Sequence, residues 1–275
     1  MVELEKAREL LLENVRTGQT EQISILEVLG RVLAEDIYSY HDYPPFDRSP
    51  LDGYALRAED LPGTFSIIDK IYAGDVSARR VTRGTAIRIM TGAPIPTGAD
   101  CIVRQEDVIL EGDEIRVETI LRPFENYVYK GEDIRAGNLI LEKNQVINST
   151  GVMLMAALGL SKVLVYRKPV IGILSTGNEL QDLDTTLRPG HIFNSNLYFL
   201  HGRLMELGVI PRPYLHVDDT VEGIAAALEK AKDECDFIVS TGGVSVGEKD
   251  LVKESAKKAG FSLLYWKVNI KPGSP

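Results

Sequence analysis

A chain of 275 residues, 44% hydrophobic and 26% charged, has the length of about two domains and the composition of an ordinary globular protein. Its formal net charge of −9 argues against a general nucleic-acid binder, which would carry a basic face. A small anion held by glycine loops and lysines stays possible. Two cysteines, Cys101 and Cys235, lie far apart without metal-ligand spacing. No disulfide framework is therefore expected, and a reducing cytoplasm fits. The opening MVELEKAREL is charged and lacks the apolar core of a signal peptide. No run approaches the roughly 18 apolar residues that span a bilayer, so neither a membrane nor a nucleic acid is an expected partner.

In chain order, Leu4, Ala7, Leu10, Leu11 and Val15 recur at helical spacing, with Gly18 after the expected end. Ile23–Leu33 reads as an extended piece or a short helix. In Tyr43–Ala55, three prolines and Gly53 argue against a helix or a central strand. That segment is a rigid connector or part of a binding surface. From Thr64 to Tyr129, short alternating runs (Phe65–Ile68, Thr85–Met90, Cys101–Arg104, Glu114–Glu118) are separated by Gly, Pro and Asp, which predicts a small barrel or sandwich. Thr91–Asp100 is a stiff loop within it, and Lys130–Gly137 sets paired acids between glycines. Ser149–Leu160 reads as a helix capped by Ser149 or Thr150.

Beyond Lys168 the texture is alternating strand and helix. Strands are expected at Val170–Leu174, Val209–Val217, Phe237–Thr241 and Phe261–Val268. Helices are expected at Asn194–Leu207, Thr220–Lys232 (capped by Thr220) and Glu248–Ala259. Consecutive βα units predict a parallel sheet with right-handed crossovers.

The third unit carries the clearest chemistry. A buried strand ends in Ser240-Thr241-Gly242-Gly243, followed by Ser245, Gly247, Asp250 and a helical pattern. Strand, glycine loop and helix N-terminus together can hold an anion. Asp250 beside such a site suggests a divalent cation between carboxylate and phosphate, although an ordinary strand-to-helix turn fits this stretch equally well. In an open parallel sheet the ligand crevice lies beyond the carboxyl ends of the strands. Those ends here carry Thr176 and Glu179, then Asp218 and Asp219, then Ser240–Asp250, with Lys267 and Lys271 beside the last. Their joint placement favours a metal-plus-phosphate site.

Six motifs, PPFDRSPLDGYA, IRIMTGAPIPTGAD, GEDIRAG, STGNEL, STGGVSVGEKD and WKVNIKPG, resemble in order and spacing those of the molybdopterin molybdenumtransferase family, that is, MoeA and the gephyrin E domain. The resemblance runs from about Leu4 to Pro275. The sequence departs from the common pattern at Arg48, Pro50, Leu51 and Asn178. The resemblance implies a multidomain α/β plus β fold. An elongated N-terminal helical/β domain (1–45 and 131–168), used for linkage and dimerisation, would hold an inserted small β-barrel-like domain (46–130). A parallel-sheet, MogA-like α/β domain (169–275) would follow, incomplete at its C-terminal end and without the family's final β domain.

The function so implied is insertion of molybdenum from molybdate into adenylated molybdopterin, with Mg²⁺ as cofactor and AMP released. Partners would be a second copy in a homodimer and, as substrate donor, a molybdopterin adenylyltransferase of the MogA/MoaB kind. Carried over by motif, Asp52, Asp133, Asp219, Lys267 and Lys271 would be catalytic. Thr91, Thr176, Gly242, Gly243 and Ser245 would bind substrate, and Glu179 and Asp250 the metal. Two other readings remain: a non-catalytic molybdopterin-binding or scaffolding fragment of that family, and a nucleotide hydrolase on an α/β sheet, which leaves the PPFDRSPLDGYA and MTGAPIP loops unexplained.

Overall fold

The computed structural model of the chain describes residues 2–215, 217–242 and 251–270. They form two compact units: Met1–Ile23, Glu27–Ala34 and Leu164–Pro275 make the first, and Ser24–Leu26 with Glu35–Val163 the second.

The first unit holds a three-stranded parallel sheet in the order Ile210–Tyr214, Val170–Ser175, Phe237–Thr241. Val170–Ser175 lies between two neighbours and is buried along most of its length. This is why it reads as a continuous apolar run rather than an alternating one. Helix Val221–Glu234 starts at Thr220, whose side chain accepts from the Gly223 N–H at 3.0 Å. It buries Ile224, Leu228 and Ala231 against Leu174, Tyr214 and Ala259. Asn194 caps helix Ser195–Glu206 by accepting from Leu197 N–H at 3.3 Å. The first helix spans Leu4–Asn14, but only Ala7 is buried. Leu4, Leu11 and Leu12 of its apolar face are exposed.

The second unit is built on a six-stranded sheet in the order Cys101–Arg104, Gly53–Leu56, Thr85–Ile89, Gly63–Ile71, Glu114–Val117, Val108–Glu111. All pairings are antiparallel except that of Thr85–Ile89 with Gly63–Ile71. Successive side chains point to opposite faces of a strand, and both faces are covered. Tyr54, Leu56, Phe65, Val103 and Ile115 form one core. Ala55, Ile71, Ile87 and Ile102 form the other, closed by Val81 and Ala93 from the long loop before and after Thr85–Ile89. Helix Ser149–Ala157 also lies in this unit.

Four expectations are corrected. Gly53–Leu56 is an inner strand, paired on both sides, although it overlaps the proline-rich segment. The prolines end at Pro50, and a Cβ on Gly53 would come 2.0 Å from Val103 O, so glycine allows the close approach instead of preventing the strand. Helix Ser149–Ala157 is capped by Asn148, which accepts from Gly151 N–H at 2.9 Å, and not by Ser149 or Thr150. Ile23–Leu33 is neither one strand nor a helix: Thr20–Ser24 is a strand and the rest is mainly turns. Phe261–Val268 forms no strand; only Val268 makes a bridge, to Val2, while Leu263 and Leu264 stay exposed. Apolar content gives a segment β-propensity, but a ladder also needs a partner edge.

Candidate functional site

At the carboxyl end of the parallel sheet, the last residues of two strands are tied together. Ser175 Oγ lies 2.8 Å from Thr241 Oγ1, and Thr176 N–H donates to Thr241 O at 3.2 Å. Thr176 is buried, and its hydroxyl donates to Asp219 Oδ1 at 2.8 Å, which links this strand end to the turn after Ile210–Tyr214. Gly242 has φ +83°, and a Cβ there would lie 2.1 Å from Thr176 O. The glycine expected from sequence is thus required by a backbone-to-backbone approach. Gly177, at φ +152°, is less confined: its Cβ would meet the Glu179 carboxylate at 2.7 Å, the end of a flexible side chain that can swing away.

Beside this rim opens a cavity of about 420 Å³ lined by Ser175, Gly177, Gln181, Arg188, Asn194 and Val217, among others. Buried Gln181 accepts from both the backbone N–H and the Nε of Arg188, at 3.1 and 3.3 Å, and so fixes the guanidinium's place in the wall. Asn194, which caps the 12-residue helix Ser195–Glu206, shares that wall. Arg188 and the helix N-terminus on this hollow attract an anion, opposed by the Asp182 carboxylate that also lines it.

The second unit carries its own cluster. Asp52 Oδ1 accepts from both the N–H and the hydroxyl of Thr91, each at 2.8 Å. These two bonds, backbone first, hold its carboxyl below the usual range, helped by the positive charge of Arg88. The Nε of Arg88 is buried and makes no hydrogen bond. Arg48 and Asp133 approach to 3.9 Å, a solvent-screened pair of small energetic weight.

The structure therefore brings together Thr176, Asp219 and Gly242, with Glu179 next to Gly177, in one unit, and Asp52 with Thr91 in the other. Asp133 is joined to the Asp52 segment through Arg48. Lys267 lies instead beside the N-terminal segment: its carbonyl accepts from Val2 N–H at 3.0 Å, and its φ is +63°. Gly243, Ser245, Asp250 and Lys271 lie outside the described residues. Sequence reasoning missed Arg88, Gln181, Arg188 and Asn194 as site residues. Arg188 had a signal, a lone cation after the acidic Glu179–Asp184 segment and before the Pro189-Gly190 turn, whereas Gln181 is recognisable only from its burial.

Comparison with known proteins gives this geometry its context. A family profile described as "MoeA N-terminal region (domain I and II)" matches residues 2–159, and one described as "Probable molybdopterin binding domain" matches residues 172–275. The chain belongs to the MoeA family. It is 39% identical over 92% of its length to a molybdopterin molybdenumtransferase of Staphylococcus epidermidis. It is 36% identical over its full length to one of Haemophilus influenzae. It spans 62% and 69% of those two proteins, respectively. A crystal structure of a molybdopterin biosynthesis moeA protein from Pyrococcus horikoshii superposes with a TM-score of 0.86 at 36% identity, covering 100% of this chain and 71% of that one. The likeness extends to the fold class expected from the motifs, β units followed by a parallel-sheet α/β unit. Among the described residues, no helix is long and apolar enough to cross a membrane.

Proposed function

We propose that the chain acts in molybdenum cofactor biosynthesis as a transferase that inserts molybdenum from molybdate into adenylated molybdopterin, with AMP as the leaving product. The observation that carries this reading is the match of both segments, 2–159 and 172–275, to the MoeA profiles. The strand-end rim of hydroxyl, carboxylate and glycine beside an Arg188-lined cavity gives it a physical basis.

In this reading the substrate's phosphoanhydride lies at the strand ends, and a molybdate oxygen is the attacking group. Gly242, with Gly243 and Ser245, gives the backbone room to approach the phosphates. Thr176 holds Asp219 in one orientation through its 2.8 Å bond, and Arg188 with Lys271 offsets the oxyanion charge that grows as the anhydride breaks. Asp52, fixed by Thr91, and Asp133 act from the β unit. The donors fit Mg²⁺ in kind: Glu179 and Asp219 supply hard oxygens, and Mg²⁺ usually takes one or two carboxylates plus substrate phosphates rather than a full protein cage. Glu179 and Asp250 would hold the ion, which when bound polarises the phosphate.

The partners proposed are a second copy of the chain, supported by the exposed Leu4, Leu11 and Leu12 of the first helix, and a MogA/MoaB-like adenylyltransferase as substrate donor. A cytoplasmic site of action and a division of labour among 1–45 with 131–168, 46–130 and 169–275 belong to the same proposal. The deciding experiment incubates the purified chain with adenylated molybdopterin, molybdate and Mg²⁺. AMP release that depends on molybdate supports the transferase. Pterin binding without AMP release replaces it with a binding role, and nucleotide turnover without molybdate points to a hydrolase.

A further inference from the structure

A second hollow, of about 550 Å³, opens at the amino ends of strands Val170–Ser175 and Phe237–Thr241, beside the end of helix Leu4–Asn14. All its walls belong to the first unit, and its size suits a small molecule. The six residues of Val170–Ser175, roughly 20 Å of strand, separate it from the rim at the carboxyl ends.

Its lining combines two kinds of group. Val15 and Phe237 are apolar, yet each is 46% exposed, so an apolar body laid on them would leave water. The charged residues of the lining are Arg16, Arg167 and Asp236. Arg167 is held firmly. Its backbone N–H donates to Gln19 O at 2.8 Å, which ties together the two chain segments that form the walls. Its Nη2 donates to both Asp236 oxygens, at 2.7 and 3.0 Å. Asp236 Oδ2 also accepts from Val170 N–H at 2.7 Å, so the carboxylate is satisfied within the fold. Those bonds use one of the three guanidinium nitrogens of Arg167 and leave further donors. Arg16 forms no ion pair among the described residues. Two cations against one carboxylate leave one positive charge uncompensated, in a chain whose net charge is −9. The carboxyl end of helix Leu4–Asn14 opposes an anion here, but only by a fractional charge. Two of its last carbonyls are already bonded, Leu10 O by Asn14 Nδ2 at 2.8 Å and Leu11 O by Val15 N–H at 3.0 Å.

We propose that this hollow binds a small amphipathic monocarboxylate, with its carboxylate on Arg16 and Arg167 and its apolar body on Val15 and Phe237. A guanidinium fork matches a carboxylate in shape and charge. One uncompensated charge favours a monoanion over a phosphate dianion. The exposed apolar pair favours a ligand with a hydrocarbon body over a bare anion. The site is independent of the transferase reading, because it lies at the other end of the strands and asks only for binding.

The test titrates phenylacetate into the isotope-labelled wild-type chain and follows the Val15 methyl and Phe237 ring signals by NMR. Saturable shifts at both residues are expected, in the millimolar range for so small a ligand. Phenylethanol, which keeps the body without the charge, should bind far more weakly. Arg16→Met, at an exposed position, should weaken binding about tenfold. Arg8→Met, at an exposed position of the first helix outside the hollow, should leave it unchanged. The proposal is overturned if phenylacetate gives no saturable shift at Val15 and Phe237, if phenylethanol binds as well, or if Arg8→Met weakens binding as much as Arg16→Met does. Acetate or phenyl phosphate binding as tightly as phenylacetate would overturn the ligand class.

Discussion

Replacing Gly242 by alanine tests whether the strand-end rim is built on a backbone contact. Two costs add. An L residue in the left-handed region costs about 1–2 kcal/mol, and Gly242 sits there at φ +83°. The new Cβ would also lie 2.1 Å from Thr176 O and 3.2 Å from its carbon. Those atoms belong to the backbone and cannot rotate away, so relief means parting the ends of two paired strands, at a cost of about 1–3 kcal/mol for overpacking. Together this predicts a loss of about 2–5 kcal/mol. With a urea slope of about 1–3 kcal/mol per molar, the midpoint falls by about 1 M or more. The chain has one tryptophan, Trp266, in the same unit, so its emission follows the unfolding of that unit. Gly190→Ala is the control: φ is +76° with nothing within 4 Å of a Cβ, so it bears the conformational cost alone. If the two variants lost equal stability, or if Gly242→Ala unfolded at the wild-type midpoint, the close approach would not be what requires glycine here.

Cys101 is buried, and that burial, followed by the Asp100 carboxylate, pushes its thiol up to about 12. A thiol reagent at mild alkaline pH should therefore label only Cys235 in the native chain and both cysteines after denaturation; mass spectrometry of early Cys101 labelling would contradict this. The Asp52 carboxyl is held low by the two Thr91 bonds. Its stabilising contribution is thus complete above the ordinary carboxylate range and is lost as pH falls through the depressed folded value. Carbon-detected NMR should find Asp52 titrating below free aspartate, and Thr91→Val should move it back up. Thr176→Val removes the bond to Asp219 while nearly preserving shape. It should cost about 1 kcal/mol and slow AMP release by about tenfold, with a thermal melt separating the two effects; wild-type release by a folded variant would remove Asp219 from the proposed reaction.

Local patterns identified much of the α/β unit. Thr220 was legible as a cap because capping is a contact between near neighbours in the chain. Val170–Leu174 was legible because a strand buried on both faces must be apolar throughout; Phe237–Thr241, expected to be buried as well, leaves Phe237 and Val239 exposed. The reading failed where the answer depended on a distant partner. Phe261–Val268 has the composition of a strand but no ladder in which to take part. Gly53, taken as a sign against a strand, is there because Val103 O comes so near.

The candidate site divides in the same way. The order of strands, glycine turns and polar residues fixed by itself that Thr176, Asp219 and Gly242 would meet at one edge, since parallel connections bring all carboxyl ends to the same side. Only the tertiary structure determined that Gln181 would hold Arg188 against the cavity wall, that Thr91 would clamp Asp52 from 39 residues away, and that Lys267 would turn toward the N-terminal segment. Periodicity encodes which face of an element is buried, whereas a side chain's partner across the fold is set by packing between segments that no local pattern relates.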